Sequence, residues 1–261
     1  MKISVTRAIM LMAAPFTLSI ISCQKKVKGD DVAPPGAPSP VELRFQHVVN
    51  STKDMSFDST YVGPGLSFFK VTEFKYYISN VWFVNETTGD TVKIPETYFL
   101  IDERNANSKK PTLTVPAGEY YAMSFLIGID SARNVSGAQT GALDPSNGMF
   151  WDRTNGYIMG KFEGTSPSSP LPGNVFTYHV GGFKEPYNVI TRRHFKLSGT
   201  VSISPGRKTV INFRTDARTW LSNPNTISFS TDPSCTTPGP LAKKISENYF
   251  KMFEFVSVKF E

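Results

Sequence analysis

Residues 126–164 read LIGIDSARNVSGAQTGALDPSNGMFWDRTNGYIMGKFEG. Within this stretch, residues 130–150 are polar and rich in glycine, and a loop of that length in a compact domain is usually functional or disordered. The loop ends in a Met-Phe-Trp cluster at residues 149–151, whose apolar surface is unfavourable in water. A strand is predicted to follow at residues 157–163. We therefore expect the loop to be ordered and folded back onto a β-scaffold.

The chain on both sides of this loop has the pattern of an all-β domain. It is rich in Phe, Tyr, Thr and Val, with Gly and Pro recurring roughly every ten residues, which is typical of an antiparallel β-sandwich or barrel. Strict alternation over residues 41–49 places one set of side chains on a single face: Val41, Leu43, Phe45, His47 and Val49.

Further elements follow from the same reasoning. Strands are predicted at residues 67–84, 98–102, 112–115, 119–129, 175–180, 194–203, 208–215 and 253–260, with a turn at 116–118. One short C-terminal helix is predicted from Pro240, a favoured first helical residue. Apolar residues then recur at helical spacing: Leu241, Ile245, Tyr249 and Met252.

Residues 1–22 are predicted to be a signal peptide. Lys2 and Arg7 precede an apolar run too short to cross a bilayer, and the run ends in Ile-Ile-Ser-Cys at residues 20–23. This ending resembles the lipobox of bacterial lipoproteins, so Cys23 is the predicted lipidation site. Several acyl chains, at about 0.8 kcal/mol per buried CH₂, would hold the protein on a membrane. The alternative is an ordinary cleaved signal peptide with an incidental cysteine.

Residues 23–40 are predicted to be a tether between the lipidated Cys23 and a single β domain at 41–261. Pro and Gly are frequent in its second half, and such a composition favours an extended chain. The expected location is the bacterial cell envelope, lipid-anchored in the outer membrane on its periplasmic or its surface face.

Charge and motifs exclude several function classes. The net charge of +6 is scattered, so a nucleic acid is not an expected partner. With Cys23 lipidated, Cys235 stands alone, which excludes a disulfide framework and leaves a buried, inert thiol or an extra metal ligand. A Gly-rich phosphate loop, a G-x-S-x-G elbow and an H-E-x-x-H motif are all missing from the sequence, so no enzyme is predicted.

The segment GMFWDRTNGY at residues 148–157 resembles the core of the MbnP-like copper-binding protein domain family. Shorter matches lie in FKYYISNVWF (74–83), YFLID (98–102), FTYHVGG (176–182) and NYFKMF (248–253). The resemblance covers nearly all of the chain after residue 40. It implies an extracytoplasmic protein that binds copper without turnover, through imidazoles beside a tryptophan that a di-haem peroxidase-like partner oxidises.

The resemblance makes His47 and His179 the candidate copper ligands, with Trp151 as the candidate for oxidation. His179 stands where the resembling proteins have a histidine before two glycines. His47 faces inward and needs a partner if buried, so a core histidine and a metal ligand both remain open. We expect the two imidazoles to approach each other, with Trp151 packed near one of them or serving only as packing.

Other side chains near the loop have alternative roles. Met149 and Met159 are soft donors for Cu(I) or core filler. Asp130 and Asp144 are cap or turn residues or oxygen ligands for Ca²⁺. His194 matches no family motif, and a surface position is expected for it.

The chain departs from the family pattern at its second Trp, replaced by Arg153, and at a terminal His-x-His, replaced by Ser257 and Lys259. These losses motivate an alternative function. The protein would then be a metal-free surface lipoprotein with a protein or glycan partner on the same scaffold.

Overall fold

The structure is a computed structural model that describes residues 36–261 apart from Thr52 and Ala138. The predicted signal peptide, Cys23 and most of the tether lie outside the described residues. Among the residues that are described, no helix has the length and apolar character needed to span a bilayer.

Strands dominate the domain, which confirms the all-β prediction. They are β1 Gly36–Val49, β2 Lys53–Asp54, β3 Thr60–Val62, β4 Phe68–Asn85, β5 Thr91–Lys93, β6 Tyr98–Asp102, β7 Thr112–Ile127, β8 Phe150–Asp152, β9 Gly156–Thr165, β10 Val175–Gly181, β11 Thr191–Ile203, β12 Thr209–Asp216, β13 Ser234–Cys235 and β14 Phe253–Phe260.

The helices are short. The predicted C-terminal helix is α2, Pro240–Tyr249, which begins with the expected proline. A single helical turn, α1 at Ser131–Val135, lies inside the long loop and was not predicted. Short 3-10 turns occur at Pro64–Leu66, Gly141–Leu143, Pro145–Asn147, Pro172–Asn174 and Ala217–Leu221.

The main strands are hydrogen-bonded in the order β13-β10-β9-β4-β7-β1-β12-β14, with β11 also paired to β7. Most pairs are antiparallel, as predicted, but β1 runs parallel to β12 and β10 runs parallel to β13. A parallel pair needs a long connection between its strands. Alternation within each strand cannot reveal such a pairing.

The predicted turn at residues 116–118 is wrong, because β7 runs through it unbroken. The first part of β7 pairs with β1, and its second part pairs with β4 and β11. Pro116 lies where the pairing with β1 shifts register, between Gly36↔Ala117 and Ser39↔Val115. A strand tolerates a proline at such an irregularity because the missing N–H is not needed there.

The predicted domain boundary at residue 41 is too late. Strand β1 begins at Gly36, where Ser39 pairs with Val115 and Pro40 pairs with Thr114 of β7. The last residues assigned to the tether therefore belong to the sheet. Their Pro-rich composition is typical of a tether, although they form a strand whose pairing with β7 begins with a register shift.

The two faces of the β10-β9-β4 sheet differ, because the aromatic core packs on the inner face only. Phe74 and Phe162, paired across β4 and β9, are fully buried and contact the ring of Trp220. The residues that alternate with them, Glu73 and Glu163, also pair across these strands and are half-buried on the outer face. This division of faces decides which candidate residues can meet.

Candidate functional site

The long loop is folded against the sheet in the part that the structure describes. Tyr77 and Tyr157 donate hydroxyl hydrogen bonds to the carbonyls of Ala142 and Leu143, each at 2.7 Å. Leu143 and Met149 are buried in the core. The prediction of an ordered, folded-back loop is therefore confirmed for its described residues.

Asp130 and Asp144 cap the helical turns of this loop. The carboxylate of Asp130 accepts from the Arg133 amide at 3.2 Å, from the Tyr98 hydroxyl at 2.6 Å and from Asn80 at 2.9 Å. Burial would raise the pKa of Asp130, but these hydrogen bonds outweigh burial and lower the pKa. Asp144 accepts from the Ser146 amide at 2.8 Å. Both side chains have the predicted cap role.

His47 is a core histidine whose two ring nitrogens are both hydrogen-bonded. Its side chain is 0% exposed, and its ring lies edge-on to Phe74 at 5.0 Å. Nδ1 is 2.8 Å from Oε2 of Glu103, and Nε2 is 3.0 Å from the hydroxyl of Tyr76. That hydroxyl is in turn 3.3 Å from the hydroxyl of Thr215.

The electrostatics fix the tautomer of this histidine. Burial lowers the pKa of His47 and outweighs the opposing effect of Glu103, so the ring is neutral. Burial would raise the pKa of Glu103, but hydrogen bonds from His47 and Lys109 lower it. Because Glu103 is ionised and can only accept, Nδ1–H donates to Glu103 and Nε2 accepts from Tyr76. A metal ion on either nitrogen would have to displace one of these partners.

His179 lies on the outer face of the sheet, on β10, with its side chain 19% exposed. Its Nε2 is 2.6 Å from Oε1 of Glu163 on β9. The hydrogen bond from His179 holds the pKa of Glu163 below its usual value, against the opposing effect of burial, and Glu73 acts in the same direction. Directly across from His179 on β9 is Lys161.

The structure does not bring His47 and His179 together. His47 contacts Phe74 and Tyr76 on the inner face, whereas His179 contacts Glu163 on the outer face. Adjacent residues of a strand point to opposite faces, so the β-sheet itself lies between the two imidazoles. The predicted shared site is therefore wrong. The alternation of β10 correctly opposed His179 to Phe176 and Tyr178, but it did not say on which side His47 would lie.

Trp151 packs against β10, the strand that carries His179. It is half-buried against the core and packs directly over Gly181, two residues beyond His179 on β10. A methyl group added at Gly181 would come within 2.5 Å of the indole ring. The expected approach of Trp151 to one of the histidines stays a prediction.

The two methionines of the region are core residues. Met149 and Met159 are 0% exposed, and the sulfur of Met159 accepts a hydrogen bond from the Ile129 amide at 3.2 Å. Neither thioether lies at the His179 surface, so the structural role predicted for them is the one observed.

The other residues singled out in the sequence lie away from His179. Cys235 is a buried free thiol, and burial raises its pKa to about 12, which makes it unreactive. His194 is exposed on β11. Arg153 and Lys259 are exposed, and the hydroxyl of Ser257 accepts from Asn212 at 3.2 Å. None of these residues contributes to a site with His179.

A copper centre built from two imidazoles does not fit this arrangement. Across the described part of the chain, no group of three or more His, Cys, Asp or Glu side chains is placed to hold a metal ion. Among the described residues, His179 with Glu163 is an imidazole–carboxylate pair whose imidazole keeps a ring nitrogen without a hydrogen-bond partner, unlike the buried pair of His47 with Glu103. Glu163 was not among the predicted site residues. Its place at the end of the predicted strand at 157–163 is the signal that could have made it a candidate neighbour of His179.

Comparisons with known proteins agree on the scaffold. The family model named MbnP matches residues 38–237. The chain is also similar to a solved structure, MbnP from Methylosinus trichosporium, with a TM-score of 0.51 and 16% sequence identity, over 85% of this chain and 99% of that one. At this identity the structural match establishes the fold alone. No curated protein matches the chain.

Proposed function

The chain belongs to the MbnP family, and on that premise we propose that it is an envelope-anchored lipoprotein that binds copper outside the cytoplasm without catalysis. The family supports the general role, and one observation supports the place. His179 is a half-buried imidazole with a carboxylate at 2.6 Å, and its position before two glycines matches the family motif.

The donor set predicts weak binding at the surface. Among the described residues, Nδ1 of His179 has no hydrogen-bond partner, so this nitrogen is available while Nε2 contacts Glu163. Imidazole nitrogen suits Cu(II), and the Glu163 carboxylate on Nε2 would orient the ring behind an ion bound at Nδ1. Lys161 opposite His179 adds a positive charge that lowers the affinity. His47 does not bind copper in this proposal, because both of its ring nitrogens are hydrogen-bonded, one to Glu103 and one to Tyr76.

The proposal also includes a partner enzyme that oxidises Trp151. Its half-buried ring over Gly181 leaves part of the indole accessible to an oxidising enzyme of the di-haem peroxidase type. An oxidised side chain there would offer a further donor near His179. Protein isolated from the native envelope would then bind copper more tightly than recombinant protein made without the partner.

The copper proposal predicts that His179→Ala weakens Cu(II) binding by about tenfold or more, because a single imidazole supplies the nitrogen donor and tenfold corresponds to about 1.4 kcal/mol. Binding by the wild-type protein should also weaken as the pH falls, since only the neutral imidazole is a ligand. Titration followed by calorimetry, with Cu(I) run in parallel under reducing conditions, measures both effects.

The matched control is His194→Ala, which removes an exposed imidazole away from the site and should leave copper binding unchanged. If wild type and His179→Ala bind copper equally, copper is not bound at this site. Absence of copper binding by both proteins favours the second candidate function, a metal-free surface lipoprotein with a protein or glycan partner. The observation behind this alternative is that Lys75 and Lys161, rather than further metal donors, flank Glu73 and Glu163 on the outer face.

The proposed anchor predicts that Cys23→Ala releases the protein from the membrane fraction into the soluble fraction, because the acyl chains on this residue would supply the attachment. Fractionation followed by immunoblotting measures the distribution. Cys235→Ala is the control and should stay with the membrane. A Cys23→Ala protein that remains as membrane-bound as wild type would show that the anchor lies elsewhere.

A further inference from the structure

The guanidinium of Arg192, on β11, is held in a fixed orientation by uncharged groups of the protein. It stacks on the indole of Trp82, with its central carbon 3.5 Å from the ring centroid. Its Nη1 donates to the carbonyl oxygen of Asn80 at 2.9 Å and to the hydroxyl oxygen of Ser124 at 3.2 Å. A planar guanidinium that stacks on a ring and donates two hydrogen bonds from one edge cannot turn without losing these contacts.

The other edge of this guanidinium is open to the outside of the molecule. Within the described part of the chain, Nε and Nη2 of Arg192 donate no hydrogen bond, and neither is a buried unpaired atom. Burial of the side chain lowers the pKa of Arg192, and no acidic neighbour counteracts this effect. Nε–H and Nη2–H are the pair of parallel donors that matches a carboxylate, so the protein presents this pair ready for an anion.

Two exposed lysines extend the positive charge on either side of Arg192. Lys93 on β5 pairs with Trp82 on β4, and its Nζ is 5.0 Å from the centroid of the Trp82 ring. Lys196 lies four residues after Arg192 in an unbroken part of β11, and side chains an even number of positions apart share a face of a strand. We call Trp82, Lys93, Arg192 and Lys196 the cationic face.

The charges of the cationic face are not neutralised by the protein. Among the described residues, none of its three cations forms a salt bridge. Asp90, before β5, and Glu119, on β7, are the first acids along the neighbouring strands, and both are exposed. A group of like charges on one surface attracts partners of the opposite charge.

The cationic face is extended, because it runs across four neighbouring strands. Lys93 on β5 pairs with Trp82 on β4, Trp82 pairs with Ser124 on β7, and β11 is the next strand. With about 4.8 Å between neighbouring strands, the face spans about 14 Å from β5 to β11. A small anion can therefore contact only one of the three cations at a time, whereas a chain with repeated negative charges can contact all three.

We propose that the cationic face binds an anionic polysaccharide whose sugars carry carboxylate groups. Nε–H and Nη2–H of Arg192 donate to one carboxylate, and Lys93 and Lys196 each contact a carboxylate of another sugar. Binding at this face is independent of copper binding at His179, which is not part of it. It gives the alternative function, a surface lipoprotein with a glycan partner, a defined chemistry and place.

Two other polyanions fit the cationic face less well. Single-stranded nucleic acids gain affinity by stacking bases on open aromatic rings, but the ring of Trp82 is covered by Arg192. Lipid bilayers take up apolar side chains from the proteins that lie on them. The aromatic residue of this face is half-buried, so it cannot insert between lipids.

The test measures binding of oligogalacturonate, a chain of carboxylated sugars, to the purified full-length protein in detergent by calorimetry without copper. Oligogalacturonate is expected to bind and to bind more weakly as salt is added, because salt screens exposed charges. A neutral maltooligosaccharide of the same length is expected not to bind. Arg192→Lys should weaken oligogalacturonate binding by about tenfold, since it keeps the charge but loses the two parallel donors.

The lysines test the face without changing Arg192. Lys93→Gln and Lys196→Gln should each weaken oligogalacturonate binding by about threefold, the usual scale for an exposed charge pair. Both side chains are exposed and donate no hydrogen bond to the described residues, so these variants keep the fold. Lys70→Gln is the matched control, because Lys70 is an exposed lysine of the same strand β4, about 40 Å before Trp82. It should leave binding unchanged.

Four outcomes overturn the proposal. The first is no binding of oligogalacturonate by wild type at millimolar concentration and low salt. The second is unchanged affinity in the Lys93→Gln/Lys196→Gln double variant, which remains informative even if Arg192→Lys fails to fold. Oligothymidylate binding as tightly as oligogalacturonate would assign the face to a nucleic acid, and tighter binding of glycerol phosphate would assign it to lipid headgroups.

Discussion

His47→Ala is expected to destabilise the domain by roughly 2–4 kcal/mol, the combined cost of a core cavity and lost buried hydrogen bonds. The imidazole fills a fully buried position against Phe74. It also links Glu103 to the Tyr76 hydroxyl, which would lose its acceptor in the variant. Urea denaturation measures the change in the free energy of unfolding.

The control for this loss is His194→Ala. His194 is exposed, and surface substitutions of this kind usually change stability by less than about 0.5 kcal/mol. If the copper-binding role predicted for His47 were correct, His47→Ala would lower copper binding in the folded protein. A folded variant with unchanged copper binding and reduced stability supports the structural role.

The pH dependence of stability gives a second measure of the same residue. Burial lowers the pKa of His47 below 6.5, so the unfolded chain takes up a proton in acid where the folded protein does not. The stabilisation is fully present above about pH 6.5 and is lost as the pH falls toward the folded pKa. Wild type should therefore lose more stability between pH 7 and pH 5 than His47→Ala does. Parallel curves would contradict the assignment.

Local patterns in the sequence predicted the elements of the fold well. Alternation identified β1 and the inward position of His47, and helical spacing identified α2. The errors came from contacts distant in sequence. Pro116 marks a turn by its local chemistry, yet β7 passes through it because two different partner strands meet there. Similarly, the parallel pairing of β1 with β12 joins segments that no local signal connects.

The candidate site was harder to predict than the fold. The sequence identified the histidines but not their partners, and the partners determine what each histidine can do. Glu103 follows β6 and Tyr76 lies in β4, and both reach His47 only because the sheets close over a common core. Alternation gives the two faces of each strand, but it does not tell which faces of different strands are turned toward each other. His47 and His179 therefore could not be separated before the sheet order was known.

The two glycines after His179 have a packing role that does not depend on a metal. Gly182 has a φ of +132°, and a Cβ there would lie 2.3 Å from the carbonyl oxygen of Tyr187. At Gly181, a Cβ would meet both the Trp151 ring and the Tyr157 carbonyl oxygen, at 2.5 and 2.7 Å. The absence of a side chain at Gly181 thus leaves the room that the Trp151 ring occupies, whether or not copper binds.

Gly181→Ala is therefore expected to cost about 1–3 kcal/mol, the usual range for overpacking a core, and to displace the Trp151 indole. The ring can move, but the Tyr157 carbonyl belongs to the neighbouring strand β9 and cannot move without disturbing the pairing of β9 with β10. Denaturation curves measure the stability. The emission lost on Trp151→Phe, compared with and without Gly181→Ala, reports the displacement, because Trp82 and Trp220 emit as well.

Gly239→Ala is the matched control, because a Cβ there meets nothing within 4 Å and a change at this helix cap costs less than about 1 kcal/mol. Trp151→Ala in the Gly181→Ala background separates the two clashes. If the ring carries part of the strain, the double variant is more stable than the sum of the single changes predicts, since residues in contact are energetically coupled. Strict additivity would place all of the strain on the strand backbone, and Gly181 would then have no role in orienting Trp151.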